Sequence, residues 1–258
     1  DIYTGDIIAM VSSPTFDANK FVTGITEKDW QKLISDKKKP LINKSLSGLY
    51  PPGSTIKPIV ALSALEHDVI STKLVVECRG HIEFHGQKYH CWKEKGHGYM
   101  GLRNAIKQSC DIYFYEVARR LGVDRLSVTA KKFGLGKRVF DIFNEEKSGV
   151  VPNTTWKRKN IGKGWVIGET LITGIGQGYF QSTPMQICLM TAQLANGGYK
   201  IRPRIIHDAY SLEPVINLWK KELSKTDEDT NLQEGLETAD FKEETNYLEK
   251  LYRNQENI

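Results

Sequence analysis

A serine and a lysine stand one helical turn apart at the start of an apolar stretch. Ser54 follows a Pro-Pro-Gly turn and Lys57 comes three residues later, so a helix would present hydroxyl and amine on the same face. A serine hydroxyl is a weak nucleophile until a base accepts its proton, and a neighbouring lysine can act as that base. The partial positive charge of a helix N-terminus also favours an alkoxide. By itself, the spacing also fits a capped helix with a surface lysine.

A second pair of polar residues, Ser109 and Asp111, flanks a cysteine. The apolar residues around this pair predict one helix over Leu102–Leu121. Taken alone, the pair fits a helix cap.

Three cysteines and a histidine form a candidate metal site, namely Cys78, Cys91, His97 and Cys110. Three thiolates and one imidazole suit a closed tetrahedral zinc site, with Zn–S distances of about 2.3 Å. The alternative is a Cys78–Cys91 disulfide in an oxidising compartment, with Cys110 merely buried. His90 is a spare ligand candidate, but His81, His85 and His90 are expected on the surface. Cys188 is expected to pack in the core.

The remaining pattern predicts a mixture of strands and helices. Asp1–Ser13 indicates two strands around a Thr-Gly-Asp turn, and Tyr199–Ile206 indicates an extended segment. Residues 71–100 indicate a loop-rich region, and Gly134–Gly168 indicates a connecting loop. Helices are predicted over Glu27–Leu33, Ile56–Leu65, Leu102–Leu121, Asp124–Phe133 and Met185–Ala195.

The net charge of +5 is unevenly distributed. Residues 1–206 carry 30 basic and 18 acidic side chains, whereas residues 207–258 carry 6 basic and 13 acidic ones. The basic part could favour an anionic polymer such as a cell-wall glycan-peptide or nucleic acid. Because no nucleic-acid-binding motif accompanies the charge, a solvated surface is the preferred interpretation, and we expect no nucleic-acid partner. No apolar run approaches the roughly 20 residues that cross a bilayer. Any membrane anchor is therefore expected outside this sequence.

Four motifs in a fixed order carry a family resemblance: TGDIIAMVSSPTFDAN, LYPPGSTIKP, QSCDIYFYEVA and TGIGQGYFQSTPMQ. Over roughly residues 1–206, the chain resembles class B penicillin-binding proteins of the elongation type. The resemblance implies an α/β penicillin-binding transpeptidase fold, with an antiparallel sheet flanked by helices and a helical subdomain. It implies a D,D-transpeptidase that acts on peptidoglycan stem peptides through a serine acyl-enzyme, which β-lactam antibiotics also form.

The resemblance assigns roles to individual residues. Ser54 corresponds to the acylated nucleophile and Lys57 to its proton-transfer partner. Ser109 and Asp111 correspond to the second active-site motif, in which the serine belongs to a proton relay and the acid steers the acceptor amine. Some members of this branch hold one zinc ion beside that motif, and the cysteine–histidine cluster then corresponds to its ligands.

The third motif of the family, K-T-G or K-S-G, has no counterpart in the expected place. The segment Lys147–Gly149 has the letters K-S-G, but it precedes TGIGQG, whereas the family's strand follows that segment. We therefore predict that it is unrelated to the third motif. The sequence is then expected to be a fragment, incomplete at both ends, and a poor transpeptidase.

These expectations divide the chain into a partial transpeptidase domain, 1–206, and an acidic, partly helical insert or tail, 207–258. Within the first, residues 1–45 form a hairpin and crossing segment, 46–70 the nucleophile helix, 71–135 the helical subdomain with the cysteine–histidine cluster, and 136–206 a loop with the TGIGQG segment. The expected location is the periplasmic face of the bacterial inner membrane, with membrane proteins of the elongation complex as partners. The alternatives are a catalytically incomplete scaffold module and a class D-like serine β-lactamase.

Overall fold

The computed structural model describes residues 1–22, 24–140 and 142–205. The chain divides into two compact units, one formed by Asp1–Ile8 with the described residues from Ile201 onward, and one formed by Ala9–Lys200. No helix in the described ranges is both long enough and apolar enough to span a bilayer. The predicted helices of the acidic segment lie outside the described residues, and the domain boundary at residue 206 stays a prediction.

In the smaller unit, the first residues bond to the segment around Arg204. The amide of Ile7 donates to the Arg204 carbonyl at 2.8 Å, and the Arg204 amide donates to the Gly5 carbonyl at 2.9 Å. The prediction of two strands in Asp1–Ser13 is wrong for this structure, because the strand-like pairing recorded there is an isolated parallel bridge between Asp6 and Arg204. Backbone groups that a local hairpin would use are bonded instead to a segment 198 residues away.

The larger unit is built from short helices and short antiparallel strands. Its helices are α1 Asn19–Val22, α2 Glu27–Ser35, α3 Lys44–Ser47, α4 Lys57–Glu66, α5 Leu102–Lys107, α6 Asp111–Leu121, α7 Val123–Lys132, α8 Thr154–Ile161, α9 Ile167–Gly174 and α10 Pro184–Ala195. Its strands are β1 Val75–Cys78, β2 His81–Phe84, β3 Gln87–His90 and β4 Gly98–Gly101. The predicted helices that correspond to α2, α7 and α10 are confirmed with small shifts at their ends.

The predicted connecting loop Gly134–Gly168 contains the helix α8, so that prediction is wrong in its middle. The side chain of Asn153 accepts a hydrogen bond from the Trp156 amide at 2.7 Å and caps this helix. Asn153 is visible in the sequence as a possible helix cap. The helix has too few apolar residues to show a helical period, so the sequence pattern did not predict it. Cys188 on α10 is exposed, so the prediction that it packs in the core is also wrong, and the adjacent Leu189 and Met190 are buried instead.

The predicted nucleophile helix begins as a different kind of helix. Gly53–Ile56 forms one turn of 3₁₀ helix, and α4 continues from Lys57. Gly53 has φ +57, a conformation that glycine adopts at little cost. Pro58 lies in the first turn of α4, where its missing amide proton is not needed.

The helix predicted over Leu102–Leu121 is broken into α5 and α6. Ser109 has φ 52 in the intervening turn, which a continuous right-handed helix excludes. The amides of Ser109 and Cys110 close this turn by bonding the carbonyls of Ile106 and Ala105, at 3.1 and 2.9 Å. The break therefore moves the Ser-Cys-Asp motif from the middle of a helix to the start of α6.

α6 is the central helix of the larger unit. Eight of its 11 residues are buried, so almost every side of the helix is covered. It packs against α4 and α9. Where α9 crosses α6, a Cβ on Gly174 would lie 2.3 Å from the Cβ of Ala118, so the small residues allow the helices to approach closely. This packing holds the N-terminus of α6 against α4.

The strands form two separate two-stranded antiparallel sheets, β1 with β4 and β2 with β3. The segment 71–100 is thus more ordered than the predicted loop-rich region. The larger sheet that the resemblance implies is not among the residues that the structure describes. Cys78 at the end of β1 pairs with Gly98 at the start of β4, which brings Cys78 close to His97.

Candidate active site

Ser54 lies at the mouth of a cavity of about 590 Å³. Its side chain projects from the 3₁₀ turn and is exposed. The residues that line the cavity come from the turn, from the 90–92 segment, from α6 and its preceding turn, and from the TGIGQG loop: Ser54, His90, Cys91, Trp92, Ser109, Asp111, Tyr115, Ile175 and Gln177. The nucleophile predicted from sequence therefore faces open space large enough for a peptide segment.

A chain of hydrogen bonds connects Lys57 to Ser54 through Ser109. The Oγ of Ser109 lies 2.9 Å from the Oγ of Ser54. The Nζ of Lys57 donates to the same Ser109 oxygen at 2.9 Å. The i, i+3 spacing of Ser54 and Lys57 places both side chains on one side of the chain, but the hydrogen bonds that join them run through Ser109.

Lys57 is almost completely buried, and its environment suits a charged amine. Its Nζ donates to the Asp111 carboxylate at 2.7 Å and to the Ser109 carbonyl at 2.9 Å, in addition to the Ser109 hydroxyl. Three acceptors match the three protons of an ammonium group. The ring of Phe114 adds a cation–π contact at 5.5 Å. Burial of this charge is therefore compensated by an ion pair with full hydrogen bonding.

Trp92 holds the Ser-Cys-Asp turn, and the sequence analysis did not identify it. Its backbone amide donates to the second carboxylate oxygen of Asp111 at 3.0 Å. Its indole Nε1 donates to the carbonyls of Gln108 and Ser109, each at 3.1 Å. The side chain is nevertheless 64% exposed. The one sequence feature that could have drawn attention to Trp92 is its position beside Cys91.

The TGIGQG loop supports the turn that carries Ser54. The amide of Gly53 donates to the carbonyl of Gly176 at 2.8 Å. Gly176 has φ +73, and a Cβ on it would lie 2.2 Å from the Gly53 carbonyl oxygen. Glycine is therefore required at residue 176 by both conformation and space.

The Lys147–Gly149 segment lies away from the cavity lining. The amide of Lys147 donates to the Leu46 carbonyl at 3.0 Å, and the Ser148 carbonyl accepts from the Gln186 side chain at 2.9 Å. A Cβ on Gly149 would meet the Gln181 carbonyl oxygen at 2.4 Å. These contacts give the segment a structural role, in agreement with the prediction that it is not the third motif.

The predicted cysteine–histidine cluster is brought together by the fold. One ligand atom from each of Cys78, Cys91, His97 and Cys110 lies within 4.8 Å of the others. The Nδ1 of His97 is 3.5 Å from the sulfur atoms of both Cys78 and Cys91. The thiols are not cross-linked. The His97 Nε2 is buried without a hydrogen-bond partner, whereas Nδ1 points toward the thiols.

The electrostatics of the cluster suit a bound cation. Burial raises the pKa of the Cys110 thiol to about 12 and also raises the pKa of the Cys91 thiol. Burial lowers the pKa of His97, which keeps the imidazole in the neutral form that ligates metals. Thiolates are the form that binds metals, and they are costly here unless a positive charge stabilises them. The donor set therefore fits a single soft or borderline metal ion.

The other predicted histidines are exposed and belong to the β2–β3 hairpin. His81 and His90 are paired across the two strands, and His85 lies in the turn. His90 also lines the cavity of Ser54. None of these three is among the four clustered ligands.

Comparison with known proteins identifies the family. The sequence profile of the penicillin binding protein transpeptidase domain matches residues 1–245. The peptidoglycan D,D-transpeptidase MrdA of Acinetobacter baumannii is 38% identical over 216 residues, which is 83% of this chain and 32% of that protein. The chain thus spans about a third of the length of this curated relative.

Solved structures agree with this assignment. Pseudomonas aeruginosa PBP2 in complex with WCK 5153 is 46% identical with a TM-score of 0.75, covering 78% of this chain and 44% of that one. PBP2 in complex with MreC from Helicobacter pylori is 36% identical with a TM-score of 0.77, covering 81% of this chain and 39% of that one. The chain belongs to the transpeptidase family of class B penicillin-binding proteins, and within that class it is similar to penicillin-binding protein 2.

Proposed function

We propose that this chain supplies the nucleophile and proton-transfer groups of a peptidoglycan D,D-transpeptidase. The hydrogen-bonded chain of Ser54, Ser109 and Lys57 at the cavity mouth carries the proposal. Ser54 attacks the carbonyl carbon of the penultimate D-Ala of a D-Ala-D-Ala stem peptide. The Oγ–C bond forms, the amide C–N bond breaks, and D-Ala leaves. An amine of a neighbouring stem then attacks the ester and regenerates the Ser54 hydroxyl.

Proton transfer uses the contacts of the resting site in the reverse direction, because there Lys57 donates to Ser109 Oγ and Ser109 Oγ donates to Ser54 Oγ. The proton of Ser54 passes to Ser109 Oγ as the proton of Ser109 passes to Lys57. Lys57 can accept it only after giving up one ammonium proton, and the Asp111 oxygen at 2.7 Å is the nearest acceptor. The nitrogen of the departing D-Ala then receives a proton from Lys57 through Ser109, and in the second step the acceptor amine gives up a proton that returns to Ser54 along the same contacts. Trp92 keeps Asp111 oriented for this exchange through its backbone amide.

β-Lactam acylation tests the nucleophile directly. We expect a fluorescent penicillin to label the chain covalently and Ser54→Ala to abolish the label. A control, Ser71→Ala, changes an exposed hydroxyl outside the cavity and should leave labelling intact. Labelling of Ser54→Ala at the unsubstituted rate would refute the assignment. Nitrocefin separates the alternative of a class D-like β-lactamase, since stable acylation supports a transpeptidase and rapid turnover supports the lactamase.

We further propose that Cys78, Cys91, His97 and Cys110 hold one zinc ion. Four protein ligands leave no open position, so the ion would be structural and would tie β1, the 91–97 loop and the start of α6 together. The mutual approach of the ligand atoms within 4.8 Å supports this proposal.

Elemental analysis of protein purified without added metal measures the zinc directly. We expect about one zinc per chain, lost in Cys110→Ser and retained in Cys188→Ser, since Cys188 is exposed and outside the cluster. A zinc content near zero together with a Cys78–Cys91 disulfide by mass spectrometry would instead support the disulfide.

The location and partners follow from the proposed chemistry. Peptidoglycan stem peptides are available on the periplasmic face of the inner membrane, where we propose the parent protein acts. Because a similar chain from Helicobacter pylori was solved with MreC, we propose a membrane protein of the elongation machinery as a partner. Co-purification of the full-length protein with its MreC counterpart, compared with a mock pull-down, tests this proposal.

A further inference from the structure

Two histidines face each other across the β2–β3 hairpin. The strands are joined by a two-residue turn of His85 and Gly86, with φ values of 49 and 74. Both values are positive, as in the type I′ turns that favour tight hairpins. The register pairs His81 directly with His90.

The pair occupies the closer of the two kinds of antiparallel position. The Cys91 amide donates to the Gly80 carbonyl at 2.7 Å, one step beyond the pair. Because hydrogen-bonded and non-hydrogen-bonded pairs alternate, His81 and His90 form a non-hydrogen-bonded pair, in which side chains approach more closely. Their ring centroids are 5.9 Å apart, with the rings tilted by 37°.

Both imidazoles are free to bind a ligand. The two side chains are exposed, and the next residues on the same face, Glu83 and Lys88, pair with each other at 3.4 Å. Among the residues that the structure describes, neither His81 nor His90 has a recorded hydrogen bond through its ring. The pair therefore offers two unused nitrogen donors on one surface.

The backbone that carries His90 is fixed in place. The hydroxyl of Tyr115 on α6 donates to the His90 carbonyl at 3.1 Å. The ring of Tyr89 makes an edge contact with the ring of Tyr115, with centroids 5.7 Å apart. A site whose ligands are already positioned pays less conformational entropy on binding.

We propose that His81 and His90 form a surface site for a borderline divalent transition metal ion such as Ni²⁺, Cu²⁺ or Zn²⁺. Imidazole nitrogen suits these ions, and water molecules complete the coordination. The site is separate from the buried cluster, because neither histidine is one of its four ligands. Since His90 also lines the cavity of Ser54, the ion would bind at the edge of the active-site mouth.

Binding of Ni²⁺ to the intact chain tests the site. One equivalent of zinc per chain is supplied first, which the four-ligand thiol cluster takes in preference to a two-histidine site, and Ni²⁺ is then titrated by calorimetry. We expect one Ni²⁺ site, weakened by on the order of tenfold or more in His81→Ala and in His90→Ala. His85→Ala is the matched control, because it removes an exposed imidazole from the same hairpin without touching the pair, and it should bind as the unsubstituted chain does.

Hydrogen exchange locates the ion independently of affinity. An ion held by both strands stabilises the hairpin in its folded form, so Ni²⁺ should slow amide exchange over residues 81–90 in the unsubstituted chain and not in His81→Ala. Equal Ni²⁺ affinity in the unsubstituted, His81→Ala and His90→Ala chains would overturn the proposal. So would a Ni²⁺ site that survives in both histidine variants but disappears in Cys78→Ser, since the thiol cluster would then be the binder.

Discussion

The side-chain oxygen of Ser109 lies 2.9 Å from that of Ser54, although 55 residues separate them in the chain. Lys57 approaches the same Ser109 oxygen from the other side, also at 2.9 Å. Ser109 therefore stands between the proposed nucleophile and its base. It can do so because its backbone leaves the helical conformation between α5 and α6.

Removing the intermediate hydroxyl should slow acylation without abolishing it. In Ser109→Ala the nucleophile and Lys57 remain, but the hydrogen-bonded route between them is lost. We expect labelling by a fluorescent penicillin to slow on the order of 10²-fold, which is typical of a lost proton-transfer group. A time course of fluorescent labelling, followed on gels, compares the labelling rates of Ser109→Ala and Ser71→Ala. An unchanged rate in Ser109→Ala would mean that Lys57 takes the Ser54 proton without Ser109.

Trp92 should stabilise the Ser-Cys-Asp turn through its indole. Trp92→Phe keeps the aromatic ring and the backbone amide but removes the donor to the carbonyls of Gln108 and Ser109. We expect a loss of about 1 kcal/mol in the free energy of unfolding and slower acylation. Urea unfolding is the measurement. Trp30→Phe changes another exposed tryptophan, on α2, and is the control that should leave acylation unchanged. Equal effects of the two changes would contradict the role of Trp92.

The close approach of Gly176 to Gly53 should make residue 176 intolerant of a side chain. Gly162→Ala is a matched control, because Gly162 has the same φ of +73 but open space around it. Both changes impose backbone strain of about 1–2 kcal/mol. In Gly176→Ala the added Cβ would also displace the turn that carries Ser54, so we expect penicillin labelling to fall at least about tenfold, a loss similar to misplacing a catalytic group.

The comparison is made at a temperature where both glycine variants are folded by circular dichroism. Labelling of Gly176→Ala at the rate of Gly162→Ala would show that the turn adjusts without cost to the site.

An ion pair between α4 and α7 should make stability depend on pH. Hydrogen bonds from Lys132, at 2.5 Å, and from Thr129 lower the pKa of Glu66 from the ordinary value of a glutamate. A lowered folded-state pKa gives stability that is present above the unfolded value and is lost as the pH falls through the folded value. Because the Glu66 side chain is 41% exposed, solvent screening limits the effect to under about 1 kcal/mol.

Glu66→Gln should therefore reduce stability near neutral pH and reduce the difference between pH 7 and pH 3. Glu94→Gln makes the same change in net charge at an exposed residue and should reproduce neither effect. Urea midpoints across this range provide the measurement, and parallel curves for the unsubstituted chain and Glu66→Gln would contradict the assignment.

Local chemistry in the sequence was sufficient to propose a nucleophile with its base and to name the metal-ligand candidates. A Pro-Pro-Gly turn followed by Ser54, with Lys57 one turn later, depends on interactions within a few residues. The same holds for the helices α2, α7 and α10, whose apolar residues repeat at helical spacing, and for the side-chain caps Thr26 of α2 and Thr183 of α10. The cysteines and histidine of the cluster could be listed from their residue types alone.

Tertiary packing decided how those groups meet. A continuous period of apolar residues predicted one helix through Ser109, but the structure breaks it there, and the carbonyls freed by the break bond to Lys57 and Trp92. The prediction of strands in Asp1–Ser13 was wrong for a related reason. A strand needs a partner, and the partner available to these residues is the segment around Arg204. Such choices depend on contacts between residues tens to hundreds of positions apart. Their energies are set by burial and hydrogen bonding in three dimensions, which the order of residues does not reveal.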